Sequence, residues 1–300
     1  MGKGTDALGY PMRGMLANDL FVSVRSSLPP VAELLAAMPQ FNAAPGPVAA
    51  ELTVTEEPNA PRKRFFVHEY YTRIEWRTGT HAHVETNGAT GHIDWSGGAN
   101  DVLRGELRIF PPGAPESVGM FLRLVTSMLL PSRRALLVHA GGVVSQGRGV
   151  IFLGDSGAGK TTTARRLGRE GAMRVADDLT ILHVGREQGV WVEPCRFDKG
   201  GRLPGREARG WPLAAAYDVR KGAPSTEDGG KVKDPLATWC GAILSSTGPP
   251  SLQDTLLGLA FELSRRCPPR SLQVSAAGPI SSTIAAFSQP PSKLVGPAPH

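Results

Sequence analysis

Gly154-Asp155-Ser156-Gly157-Ala158-Gly159-Lys160-Thr161 is the stretch on which the reading of this 300-residue chain turns. It satisfies G-x-x-x-x-G-K-[ST] at every position. Glycines reach backbone conformations closed to other residues, so successive N–H groups can converge on one anion. A helix opening near Lys160 would add its positive dipole end at the same point. Lys160 is then placed to reach the β- and γ-phosphates and the Thr161 hydroxyl to ligate Mg²⁺, with Thr162 in the same phosphate-binding set. The flanks fit this pattern: Val150–Leu153 is a short apolar run, and Thr161–Arg169 is a helix ended by Gly171. A glycine-rich turn that matches by chance has no reason to sit between a strand and a helix. The expectation is a nucleotide triphosphate site.

Downstream, Met173-Arg174-Val175-Ala176 reads as a short strand that delivers Asp177-Asp178, seventeen positions after Lys160. Carboxylates at the C-terminal end of a strand lie where open α/β sheets bind ligands. Side chains alternate along a strand, so the two carboxylates point in different directions. One can hold Mg²⁺ while the other faces an acceptor hydroxyl. An Asp-Asp turn or cap is the plain alternative, and the short distance to the glycine loop argues against it.

The run His139…Gly154-Asp155-Ser156-Gly157-Ala158-Gly159-Lys160-Thr161…Val175-Ala176-Asp177-Asp178 resembles the catalytic domain of HPr kinase/phosphorylase and its relatives. Those relatives include small serine kinases of peptide-modification clusters, and the fold is shared with phosphoenolpyruvate carboxykinase. The resemblance covers roughly Leu136 to Val184, with a weaker echo, helix then strand, over Gln253–Leu272. It implies an α/β (α+β) catalytic domain binding ATP and Mg²⁺. It also implies that Asp177 is the catalytic base, Asp178 a magnesium ligand, and His139 a supporting histidine. On pattern alone, His139 within Leu136-Leu137-Val138-His139-Ala140 would be a satisfied core residue. The resemblance implies a histidine near the paired aspartates, and a neutral imidazole there, hydrogen-bonded to Asp177, would hold that carboxylate in place. The family's bifunctional members carry a second signature, E-x-R-G-x-G. Here the stretch is Val192-Glu193-Pro194-Cys195-Arg196-Phe197-Asp198-Lys199-Gly200-Gly201, which does not match. The resemblance therefore implies a kinase of this superfamily rather than the bifunctional enzyme itself.

Outward from this centre the chain divides into four. Residues 1–50 are rich in Pro, Gly and Ala and are expected to be loosely ordered, with one short helix at Val31–Met38. Residues 51–113 alternate polar and apolar, as in Arg73-Ile74-Glu75-Trp76-Arg77 and His81-Ala82-His83-Val84-Glu85, and predict an antiparallel β-rich domain. Residues 114–287 form the kinase-like domain. It opens with a helix that has Pro115 in its first turn, Met120, Leu124 and Met128 along one face, and Pro131 as its stop. Ala135–Val144 and Gly149–Leu153 then predict a buried hairpin. Lys221–Pro235 reads as a mobile loop or lid, and 288–300 as a disordered tail.

Composition bounds the rest. With 41% hydrophobic and 20% charged residues the chain can bury a sizeable core, so a coiled coil, a collagen-like chain and full disorder are excluded. The 36 glycines and 26 prolines predict many loops. A net charge of +6 suits a nucleotide, a nucleic acid or a membrane surface. The basic residues are scattered in short groups such as Arg62-Lys63-Arg64 and Arg133-Arg134, so nucleic acid carries little weight. Three cysteines without a C-x-x-C pair read as reduced thiols in the cytoplasm, and no apolar window is long enough to span a membrane. His81-x-His83 with His92 reads as surface histidine rather than metal ligands, and Lys199 and Arg202 as solvated loop residues. A homo-oligomer stays open.

The leading expectation is a Mg-ATP-dependent kinase acting on a hydroxyl of a peptide, a protein or a small polyol. The alternative is an ATP-binding regulatory module or switch without turnover. The Asp pair near the loop favours the kinase. The absence of N-K-x-D speaks against a GTPase.

Overall fold

The computed structural model describes residues 11–17, 20–38, 41, 46–57, 72–86, 88–98, 100–110, 115–186, 189–195, 210–222, 226–244, 248–275, 280 and 284. The chain is mixed α/β, with two mixed sheets and five α-helices among the described residues. It separates into two compact units, 1–132 with 245–253, and 133–244 with 254–300.

In the first unit the strands are β1 (Met12–Ala17), β2 (Leu20–Ser26), β3 (Val48–Glu56), β4 (Thr72–Trp76), β5 (His81–Thr86), β6 (Ala89–Asp94) and β7 (Leu103–Ile109). They form one sheet in the order β1-β2-β3-β7-β6-β5-β4. Alternation buries one face: Ala82, Val84 and Thr86 of β5, and Leu103, Leu107 and Ile109 of β7. Helix α1 (Pro29–Ala37) and helix α2 (Pro115–Leu129) supply the apolar partners. Phe121 of α2 is 1% exposed, and burying such a ring contributes about 2–3 kcal/mol. Gly105 of β7 makes room for it, since a Cβ there would lie 2.9 Å from the Phe121 ring.

Two expectations change here. The described part of 1–50 is not loosely ordered; it contributes β1, β2, α1 and the start of β3. The sheet is also not purely antiparallel, because β3 pairs parallel with both β2 and β7. A composition rich in Pro, Gly and Ala hid strands whose alternating Leu20, Val22 and Val24 are fully buried. Helix α2 has the predicted bounds and stop, ending in a 3-10 turn at Leu130–Arg133.

The second unit contains β8 (Ala135–His139), β9 (Gly141–Ser145), β10 (Arg148–Leu153), β11 (Met173–Ala176), β12 (Leu179–Val184), β13 (Val190–Pro194), β14 (Trp211–Lys221), β15 (Thr226–Lys231) and β16 (Arg270–Val274). The main path runs β11-β9-β10-β14-β13-β12-β8, with β16 beside β14 and β15 beside β16. Helices α3 (Lys160–Arg169), α4 (Pro235–Ala242) and α5 (Pro250–Arg266) complete it, α5 belonging to this unit from Asp254 on. One cluster of the core packs Val143, Val150, Phe152, Ala164, Leu167 and Tyr217 together.

The apolar run predicted as one strand over Ala135–Val144 breaks at Ala140 into two strands with different partners. β8 pairs with β12, while β9 pairs with β10 and β11. The β9–β10 hairpin turns at Gln146 and Gly147, both at positive φ, as a two-residue turn matched to strand twist requires. The expected lid over Lys221–Pro235 instead holds β15, which pairs antiparallel with β16. The tail at 288–300 lies outside the described residues.

Candidate functional site

The 154–161 loop joins the end of β10 to α3. Gly154 stands at φ 123° because the chain must turn out of the sheet against β14. A Cβ at that position would lie 2.8 Å from the Val219 carbonyl oxygen, so only glycine fits. Gly159, at φ 111°, is the N-cap of α3, and Lys160 is the first helical residue. The Lys160 ammonium folds back over the loop and donates to the carbonyl oxygens of Gly154 (2.8 Å) and Asp155 (3.1 Å). Burial lowers its proton affinity from the ordinary lysine value, while the charges of Asp178 and Asp155 hold it up.

β9 lies between β10 and β11 and is antiparallel to both, so β10 and β11 point the same way. Their C-terminal ends therefore bring Asp177-Asp178 alongside the 154–161 loop. Thr161 Oγ1 donates to the Asp177 carbonyl oxygen at 2.9 Å, which ties the start of α3 to the end of β11. Gly141 lies between them, where a Cβ would come within 3.2 Å of the Lys160 carbonyl oxygen.

The two carboxylates have different surroundings. Asp177 is buried, and each of its oxygens meets a guanidinium: Oδ2 that of Arg165 at 3.1 Å, Oδ1 that of Arg174. Asp178 has half of its side chain exposed, and its Oδ1 lies 3.3 Å from His139 Nδ1. The expected bond from His139 to Asp177 is thus absent, and His139 faces Asp178. The reason is local: β8 pairs Leu179 with His139, and the Ala140 amide donates to the Asp178 carbonyl oxygen at 2.9 Å. Burial lowers the His139 proton affinity below the ordinary imidazole value, Asp178 opposes this, and Lys160 adds to it.

Asp155, Lys160, Thr161, Asp178 and His139 therefore converge, while Asp177 acts as a joint between helix and strand. One carboxylate was missed from the sequence. Asp218 sits where β14 pairs with Leu153, and its Oδ1 would lie 3.4 Å from a Cβ on Gly154. It is paired with Arg220 at 3.0 Å. The only sequence signal was an acid near the end of an apolar run, Ala214-Ala215-Ala216-Tyr217-Asp218. Lys199 and Arg202 lie outside the described residues. His81, His83 and His92 form pairs with carboxylates on the open face of the first sheet, His81 with Asp94 at 2.6 Å. Among the described residues no group of three or more His, Cys, Asp or Glu could hold a metal ion. The three cysteines are unbridged, and burial pushes the Cys267 thiol up to about 11, far from reactive thiolate. No helix among the described residues is long and apolar enough to cross a membrane.

Compared with protein-family models and with curated protein sequences, the chain matches none.

Proposed function

We propose that this chain is a Mg-ATP-dependent phosphotransferase of the HPr-kinase-like kind. It would move the γ-phosphoryl group to a hydroxyl of a peptide, a protein or a small polyol. The observation that carries the reading is the convergence of Lys160, Thr161, Asp178 and His139 at one loop between a strand and a helix N-terminus. Amides at such a terminus favour phosphate. On nucleotide binding, Lys160 Nζ would exchange the Gly154 and Asp155 carbonyl oxygens for phosphate oxygens.

The residues fit Mg²⁺. This ion prefers hard oxygen ligands and commonly binds through one or two carboxylates together with substrate phosphates. Thr161 gives its hydroxyl proton to the Asp177 carbonyl oxygen, which leaves its oxygen lone pairs for a cation. Asp178, half exposed, is the second ligand. Held by Thr161 and Asp178, Mg²⁺ would offset the charge that develops on the phosphate oxygens. The acceptor proton then needs a base, and both oxygens of Asp177 are engaged by arginines. His139 is the better candidate. Its Nδ1 faces Asp178, so in the neutral ring Nε2 is free to take the hydroxyl proton.

The test is transfer of label from γ-labelled ATP to peptide and polyol acceptors, read beside equilibrium nucleotide binding. Lys160→Ala should lose nucleotide affinity and turnover together while keeping the thermal transition of the parent protein. Unchanged binding and turnover in that variant would remove the assignment. Tight Mg-ATP binding without label transfer to any acceptor would favour the regulatory module.

A further inference from the structure

At the far end of the β8–β12 pair from His139, an open pocket of about 710 Å³ is lined by Arg134, Arg186, Phe261, Glu262, Arg265 and Arg266. Four guanidiniums face one carboxylate there. Glu262 is already committed: both of its oxygens accept from Arg134, at 2.8 and 2.9 Å, and Arg266 lies 3.1 Å away. Arg134 and Arg266 are further pinned by backbone carbonyls, Arg134 by Val184 and Arg266 by Gly185 and Arg186. These two arginines are thereby held in place. Arg186 and Arg265 are exposed and have no carboxylate partner among the described residues. Arg265 lies over the Phe261 ring, 5.9 Å from its centroid.

Apolar surface adjoins this charge. Among the described residues the exposed large hydrophobic side chains are Leu244, Leu257 and Phe261, and the last two stand one turn apart on α5 at 56% and 51% exposure. A ligand matched to this surface carries both negative charge and an apolar side chain. We propose that the pocket is a docking site for an acidic polypeptide segment bearing a Leu- or Phe-like residue. Carboxylates pair with the guanidinium forks of Arg186 and Arg265, and the apolar side chain covers Leu257 and Phe261. Nucleic acid fits less well. A phosphate backbone would meet the same guanidiniums but would leave the aliphatic Leu257 side chain uncovered.

The site is separate from the glycine loop and needs no phosphoryl transfer. Arg134 precedes the five-residue strand β8 and His139 ends it, which sets the two about 17 Å apart.

The test is fluorescence anisotropy of the full chain with a labelled short peptide of glutamates carrying one Leu and one Phe. The comparison probes are the same peptide with glutamine for glutamate, and a labelled oligo-dT. The glutamate peptide should bind best and weaken with added salt. Arg186→Glu and Arg265→Glu should each weaken it by about tenfold or more. Both side chains are exposed, so these variants should keep the thermal transition. Phe261→Ser should weaken the glutamate peptide several-fold, and saturating Mg-ATP should not displace it. Equal binding of the glutamine peptide, tighter binding of oligo-dT, or no effect of both charge reversals would each overturn the proposal.

Discussion

Burial lowers the affinity of the His139 imidazole for a proton, with Lys160 pushing the same way and Asp178 opposing. A histidine whose folded pKa lies below its unfolded value is neutral in the native state. The unfolded chain then takes up the proton first on acidification, and native stability falls as pH drops below about 6.5. The same neutral ring is what a proton acceptor needs. His139→Gln should therefore flatten the fall in thermal midpoint between neutral and mildly acid pH, relative to the parent. It should also lower phosphoryl transfer by about 10²–10⁴-fold with Mg-nucleotide binding retained. Thermal melts across pH together with single-turnover transfer check this. A variant with the parent's pH profile and full turnover would return His139 to the role of a core histidine.

At the scale of elements, the Asp177 carboxylate joins α3, through Arg165, to β11, through Arg174. Charge-assisted hydrogen bonds of this kind are stronger than neutral ones. Asp177→Asn should weaken that joint, costing about 1–2 kcal/mol of stability, which is a thermal midpoint lower by about 2–6 °C. Turnover at saturating nucleotide should fall far less than in His139→Gln. Loss of turnover by orders of magnitude at unchanged thermal midpoint would make Asp177 a chemical group instead of a joint. The elements themselves were readable where breakers bound them: β11 runs over Met173–Ala176 because Gly171 and the Asp pair enclose it. The break between β8 and β9 was marked only by Gly141-Gly142, and it was hidden because the apolar residues of Leu136–Val144 are buried on either side of it. The direction of Asp177 was equally hidden. Alternation predicts that Asp177 and Asp178 diverge, but which one meets the arginines depends on how α3 packs over β9 and β11.

At the scale of the whole chain, the boundary between units falls after Ser132, and not at 114 as the Pro111-Pro112-Gly113 break suggested. The apolar face of α2 is used by the first sheet, where Phe121 fills the space over Gly105, so the helix goes with β7 and not with β8. The second unit then begins at Arg133 and holds all of the candidate site. Within it, the segment Val192–Gly201 departs from the E-x-R-G-x-G signature, and of its described residues Val192–Pro194 close the strand β13. Glu193 is 1% exposed and bonded to His183 at 2.6 Å, and Pro194, paired with Thr180, removes a backbone donor. A buried carboxylate already paired inside a sheet is not available to hold a phosphoserine or an attacking phosphate. The chain should therefore run in the kinase direction only. Incubation with Ser-phosphorylated HPr, Mg²⁺ and millimolar phosphate should release no pyrophosphate above the rate without protein. Release at a rate comparable to ATP consumption in the forward assay would show that the buried Glu193–His183 pair does not stand in the way of phosphorolysis.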